Sequence, residues 1–213
     1  ELTVTADDPS EVSVAPTPLT FTTANWNVAQ TVTVTGVDDA LVDGVQFSTV
    51  TIAVDDAASD DAFDPLNDQT VSVTTTDDDG AAYTVTESGG STDVAESGTT
   101  DTFTIVLDAQ PLGDVVLDLV SGDPSEATVS PVRVTFNNGN WNVAQTITAT
   151  GVDDAVVDPG NTSVVTISVN QPLTDDGFDA MGNQTVTVNV TDDDVAGFVV
   201  SETSGSTSMT EAG

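Results

Sequence analysis

The chain has no cysteine, no histidine and no lysine, and its single basic residue is Arg133. Without cysteine there is no disulfide framework, no thiolate zinc site and no cysteine nucleophile. Without histidine the usual general base and the usual transition-metal ligand are both missing. The one arginine stands against 36 acidic residues, for a net charge of −35 over 213 residues. Such a surface repels nucleic-acid phosphates and anionic lipid headgroups. No apolar run approaches the ~18 residues of a membrane helix. No basic and apolar leader opens the sequence, which fits a mature chain or an internal fragment. Aromatics make up only 5%, and scarce aromatics with high charge can signal disorder. Here the mean hydropathy is +0.01, and the apolar residues fall in alternating runs, which argues for folded β-structure.

What is present is a repeat. Trp26 recurs as Trp141, a shift of 115, and Asp38, Asp39 and Asp43 recur as Asp153, Asp154 and Asp158 at the same shift. Phe63-Asp64 returns as Phe178-Asp179, and Asp77-Asp78-Asp79 as Asp192-Asp193-Asp194. Glu11, Glu87 and Glu96 map to Glu126, Glu202 and Glu211, without a gap. A period of this size suits one domain rather than a solenoid unit. The expected organisation is a repeat lacking its first strands (1–79), a complete repeat (80–194) and the first strand of a following repeat (195–213).

Within a copy the apolar period is two, as in half-buried strands. Thr31 to Thr35 sets valines against threonines. Phe103, Ile105 and Leu107 alternate, as do Val132, Val134 and Phe136, then Val165, Ile167 and Val169, then Val186, Val188 and Val190. Shorter runs lie at Tyr83 to Val85 and Val115 to Val120. Roughly seven short strands separated by Gly, Pro, Asn and Asp clusters predict an all-β, immunoglobulin-like antiparallel sandwich, with β-branched residues filling the space between two sheets.

The acidic residues concentrate in a few loops. In the complete copy these are Asp153, Asp154 and Asp158, then Asp192, Asp193 and Asp194, with Glu96 and Glu126 near strand ends; Asp101 and Asp123 are further candidates. An acidic loop is often only a solvated surface. Here the clusters recur at identical offsets, and adjacent carboxylates repel unless a cation sits among them. Calcium takes six to eight oxygen ligands, and carboxylates supply them well.

The order of motifs resembles the Calx-beta domain. Val-Ala-Glu-Ser-Gly (Val94 to Gly98) comes first, followed by an acid ten residues before a Phe (Glu126 and Phe136). Gly-Val-Asp-Asp-Ala-Val-Val-Asp (Gly151 to Asp158) and Thr-Asp-Asp-Asp before Ala-Gly (Thr191 to Gly197) complete the set. The resemblance spans the whole chain. It implies an immunoglobulin-like sandwich of the kind found in sodium–calcium exchangers, integrin subunits and large bacterial surface proteins, with several Ca2+ ions at one tip near the join to the next domain. Its implied ligands are Glu96, Glu126, Asp153, Asp154, Asp158, Asp192, Asp193 and Asp194. In the first copy they are Glu11, Asp38, Asp39, Asp43, Asp77, Asp78 and Asp79. The Glu126 assignment rests on its distance to Phe136 alone, and Asp123 is the alternative.

The remaining features read more plainly. Trp26 and Trp141, in Asn-rich turns, are expected to plug the end of the sandwich rather than stack on sugars. Glu87 and Glu202 are expected to be exposed strand residues. Three Asn-x-Ser/Thr matches, at Asn161, Asn183 and Asn189, are read as chance. Carboxylates alone could act as acid and base, as in glycosidases, but their ligand-like grouping argues against an enzyme. The expected function is an extracellular, structural or adhesive calcium-binding repeat, part of a stiff stalk or filament on a bacterial surface. A calcium-sensing regulatory module and a protein or carbohydrate recognition domain are the alternatives. Expected partners are neighbouring repeats of the same chain, or identical subunits joined by β-strand donation, with a surface receptor besides.

Overall fold

The computed structural model describes residues 1–158, 160–202, 205 and 207–211. It is all-β. Fourteen strands follow in order: β1 (Leu2–Ala6), β2 (Val12–Ala15), β3 (Thr33–Gly36), β4 (Gln46–Val54), β5 (Gln69–Thr75), β6 (Tyr83–Glu87), β7 (Thr92–Ala95), β8 (Thr100–Leu107), β9 (Val115–Ser121), β10 (Ala127–Ser130), β11 (Arg133–Phe136), β12 (Gln145–Gly151), β13 (Thr162–Val169) and β14 (Gln184–Thr191). No helix among the described residues is long and apolar enough to cross a membrane.

Strands β6 to β14 form a two-sheet sandwich. One sheet has the order β10-β12-β8-β6 and the other β11-β9-β13-β14-β7. All pairs are antiparallel except β14 with β7, which runs parallel with Val190 opposite Val94. The period of two does the work: Phe103, Ile105 and Leu107 of β8, Ile147 of β12, Val165 and Ile167 of β13 and Val186, Val188 and Val190 of β14 all turn inward. Phe136 and Phe178 are completely buried with them. The Tyr83 hydroxyl lies 3.2 Å from both the Ile167 and Gly182 carbonyls, donating to one or sharing its proton between them, and accepts the Gln184 amide, which ties β6 across the core.

Residues 1–75 contain counterparts of part of this sandwich. β1, β4 and β5 make a three-stranded sheet and β2 pairs with β3, at the places of β9, β13, β14, β10 and β12. Among the described residues β3 and β5 each pair on one side only, the place of β11 holds just an isolated Leu2–Leu19 bridge, and the core is limited to Val4, Val12, Leu19 and Val50. The same residue types are therefore buried in one copy and open in the other. Phe178 is 0% exposed and its counterpart Phe63 is 57% exposed. Val34 and Val71 also stand exposed, contrary to the inward valine face expected for Thr31 to Thr35.

Two further expectations are corrected. Val132 is exposed, because it precedes β11 and the pleat does not fix its side; the inward alternation starts at Val134. No strand forms over Phe198 to Glu202, and Phe198, Val199 and Val200 are exposed. The strand that pairs with the equivalent β6 is β8, and no strand among the described residues pairs with 198–202. Residues 203, 204, 206, 212 and 213 of the expected third segment lie outside the described residues.

Candidate metal centre

The carboxylates meet at the end of the complete sandwich where β7, β12 and β14 finish. Three local features place them. The turn after β7 closes through Gly98, whose positive φ of 85° suits glycine, with its amide donating to the Ala95 carbonyl. The Glu96 amide donates to the Thr191 carbonyl, which pins Glu96 beside the end of β14. Gly151 ends β12 so close to β7 that a Cβ there would lie 2.1 Å from the Ala95 carbonyl oxygen. Only glycine permits that approach, and it carries the Asp153–Asp158 loop over the site.

Asp192 organises the backbone around it. Its carboxylate accepts the Asp158 amide at 2.9 Å and the Asp194 amide at 2.7 Å. Two carboxylate groupings result, each with oxygens within 4.8 Å of one another: Glu96 with Asp192 and Asp194, and Glu96 with Glu126 and Asp158. Glu96 belongs to both, and it is only 1% exposed. The remaining expected ligands of this copy, Asp153, Asp154 and Asp193, are exposed at the rim. Asp154 spends one oxygen on the Val156 amide.

The electrostatics follow from this convergence. Burial pushes the Glu96 carboxyl up to about 7, and the charges of Asp192, Asp154, Asp158 and Glu126 add to the rise. Asp194 is raised by burial and then by Asp192 and Asp193. Glu96 Oε2, Glu126 Oε2, Asp158 Oδ1 and Asp194 Oδ2 are buried oxygens without a hydrogen-bond donor. Such an atom is costly unless a proton or a cation satisfies it. An all-oxygen, all-carboxylate donor set fits a hard divalent ion such as Ca2+, with its loose geometry and six to eight ligands. The residues that would hold such an ion are Glu96, Glu126, Asp158 and Asp194, with Asp192 beside them, whose oxygens also accept backbone amides.

Asp123 and Asp101 lie outside the centre. Asp123 accepts the Ser125 amide and hydroxyl within its own turn, and these bonds hold its carboxyl below the ordinary range. Asp101 accepts from Ser88, the Asp93 amide and the Thr102 amide. Between Asp123 and Glu126, the glutamate is the one turned into the site. Glu87 is half-buried and accepts the Thr92 hydroxyl; Glu202 is exposed.

In the first copy Glu11, Asp38, Asp39, Asp43, Asp77, Asp78 and Asp79 line one small concavity. Asp77 repeats the role of Asp192, accepting the Asp43, Gly44 and Asp79 amides, and these bonds lower its carboxyl. Burial and neighbouring aspartates raise Glu11 and Asp79. Among the described residues this concavity has no buried glutamate in the place of Glu96. The close approach at Gly151 has a signal in the Gly36–Gly151 pair at the repeat offset, whereas the anchoring role of Asp77 and Asp192 has none in the spacing. Trp141 packs partly buried on the core, whereas Trp26 is 71% exposed in the open copy.

No known protein family and no curated protein matches the sequence. Among solved structures the chain is similar to domains 4 and 5 of the S-layer protein SbsC, at 19% identity and a TM-score of 0.41, covering 89% of this chain and 70% of that one. It is also similar to SSP-19, an MSP-domain-like protein of Caenorhabditis elegans, at 17% identity and a TM-score of 0.35, over 50% of this chain and 98% of that one. The E. coli chaperone DraB matches 55% of this chain and 58% of its own at 8% identity and a TM-score of 0.39. Each of these three scores is below 0.5, and the fold class rests on the strands described above.

Proposed function

We propose that the chain is a calcium-binding structural repeat of the Calx-beta kind, working in an extracellular stalk or surface filament. One observation carries this reading: Glu96, almost fully buried, leaves an unpartnered oxygen among four further carboxylates at the tip of the sandwich. Among the described residues no cationic side chain pairs with that group, and the lone arginine is engaged with Asp118 at 2.6 Å on another face. Bound Ca2+ would supply the missing charge. It would tie the ends of β7 and β14 to the loops after β9 and β12, and so stiffen the tip. Extracellular modules of this type bind at about 10⁻⁴–10⁻³ M, so external calcium would hold the tip closed. The free β5 edge and open apolar face of the first copy fit addition of strands like β6 to β8, from neighbouring repeat sequence or an identical subunit.

Isothermal titration with calcium tests the reading, with Glu96→Gln as the control. The native chain should bind calcium with release of heat or protons, and Glu96→Gln should weaken binding about tenfold or more by removing a shared ligand charge. Equal titrations for the native chain and the variant would remove Glu96 from the site.

A further inference from the structure

The loop after β3 does more than carry Asp38, Asp39 and Asp43. Between them, Ala40, Leu41 and Val42 reach into the next unit. The Val42 amide donates to the Gln110 carbonyl at 2.9 Å, and the Gln110 amide donates to the Ala40 carbonyl at 2.7 Å, with Leu41 and Gln110 forming an isolated parallel bridge. Val42 is half-buried and packs on the core of the complete sandwich. It lies against Gly177, where a Cβ would come within 3.5 Å of Val42 Cγ1.

The receiving surface is organised for this contact. Asp175 accepts the Gly113 amide at 2.5 Å and the Gly177 amide at 2.9 Å, and its own amide donates to the Asp114 carbonyl. One side chain thus ties the β8–β9 turn to the turn that carries Phe178. Backbone pairing gives the joint direction, and Val42 gives it an apolar anchor.

The complete unit presents the same plug with no partner strand on it among the described residues. Ala155, Val156 and Val157 are the counterparts of Ala40, Leu41 and Val42. Val156 is 56% exposed and Val157 48% exposed. Two adjacent valines open to solvent in an acidic loop have no local use. The residues after Asp194 repeat those after Asp79, with Val195-Ala196-Gly197 in the place of Gly80-Ala81-Ala82. We infer that Val156 and Val157 form a docking plug whose partner is the β8–β9 turn and Gly177-type turn of a following copy of the same unit. In a second molecule of this chain the receiving surface at Gln110 and Gly177 is already filled by its own Leu41 and Val42. The joint is thus a repeated mechanical coupling built from backbone bonds and one apolar anchor, and it does not rest on the calcium reading.

Amide hydrogen exchange read by NMR tests this at two levels. In the 213-residue chain the Val42 and Gln110 amides should be protected, and Val42→Asp should speed both by about tenfold or more while β8, β12 and β13 stay protected. Free exchange of both amides in the native chain would overturn the inference at its root. The second arm adds another copy of residues 80–194 after Asp194, joined as Gly80 is joined to Asp79, with isotope label in the first complete copy only. The Val157 amide, freely exchanging in the 213-residue chain, should become about tenfold slower, and Val157→Asp should abolish the change. An unchanged Val157 rate beside a folded following copy would overturn it.

Discussion

Glu96 sets the sign of the pH dependence at the residue scale. Its carboxyl titrates near 7 in the folded chain against 4.5 for an unperturbed glutamate, so the folded state holds a proton that the unfolded state has already lost. Between those values the folded state binds more protons, and stability falls as pH rises. Calcium-free protein should therefore show a melting temperature that declines from about pH 4.5 to about pH 7 and then levels. Excess calcium should flatten or reverse that slope, because the ion favours the ionised carboxylate. Asp101, Asp118 and Asp123 act oppositely and lower down: hydrogen bonds depress their carboxyls below 3.8, so their contribution is lost only as pH falls through that region. The same reasoning gives Glu96→Gln two opposed effects. It should raise the melting temperature in chelator and reduce the rise that calcium produces. A scan of both proteins in both conditions checks the crossing.

At the scale of the element, near-identical segments serve in two different environments. Alternation made the strands legible: β8, β13 and β14 are where the period of two puts them. Burial was less legible, because whether a valine is inside depends on the strand opposite. Val71 and Val186 occupy equivalent positions in β5 and β14, yet only the second is covered. The pair Phe63 and Phe178 measures the difference. Phe178→Ala should cost about 3–5 kcal/mol, the usual range for a buried Phe, and Phe63→Ala under about 1 kcal/mol, since that ring is largely in water; chemical denaturation of the two variants checks this. The end of β12 supplies another test. Gly151→Ala places a methyl group on the Ala95 carbonyl and should force β7 and β12 apart. Loss of stability together with weaker calcium binding is expected, whereas the equivalent Gly36→Ala, whose nearest contact would be 3.6 Å away on Thr75, should be nearly silent. The site itself was partly legible. The repeat offset picked out the carboxylates, but it could not separate Asp192, spent on two backbone amides, from Asp194 and Asp158, which keep buried oxygens free. It also placed Asp123 and Glu126 on an equal footing. The Ser125 turn that captures Asp123 is a matter of local geometry that spacing does not encode.

For the whole molecule, charge and architecture point the same way. A chain with a net charge of −35 repels itself, and screening by monovalent salt acts mainly on the exposed rim. Carboxylates converging at a buried tip call for specific neutralisation instead. Stiffness between units is then expected from two sources, the ion at the tip and the Val42 joint, and only the first should answer to chelation. The most direct test is thermal unfolding of the 213-residue chain at pH 7.5, in millimolar calcium and in chelator. If calcium stands at about ten times Kd, it stabilises by ~1.4 kcal/mol, a rise of about 5 °C for a domain of this size, lost again when chelator is added. An identical melting temperature in calcium and chelator would contradict the account and return the acidic tip to a merely solvated surface.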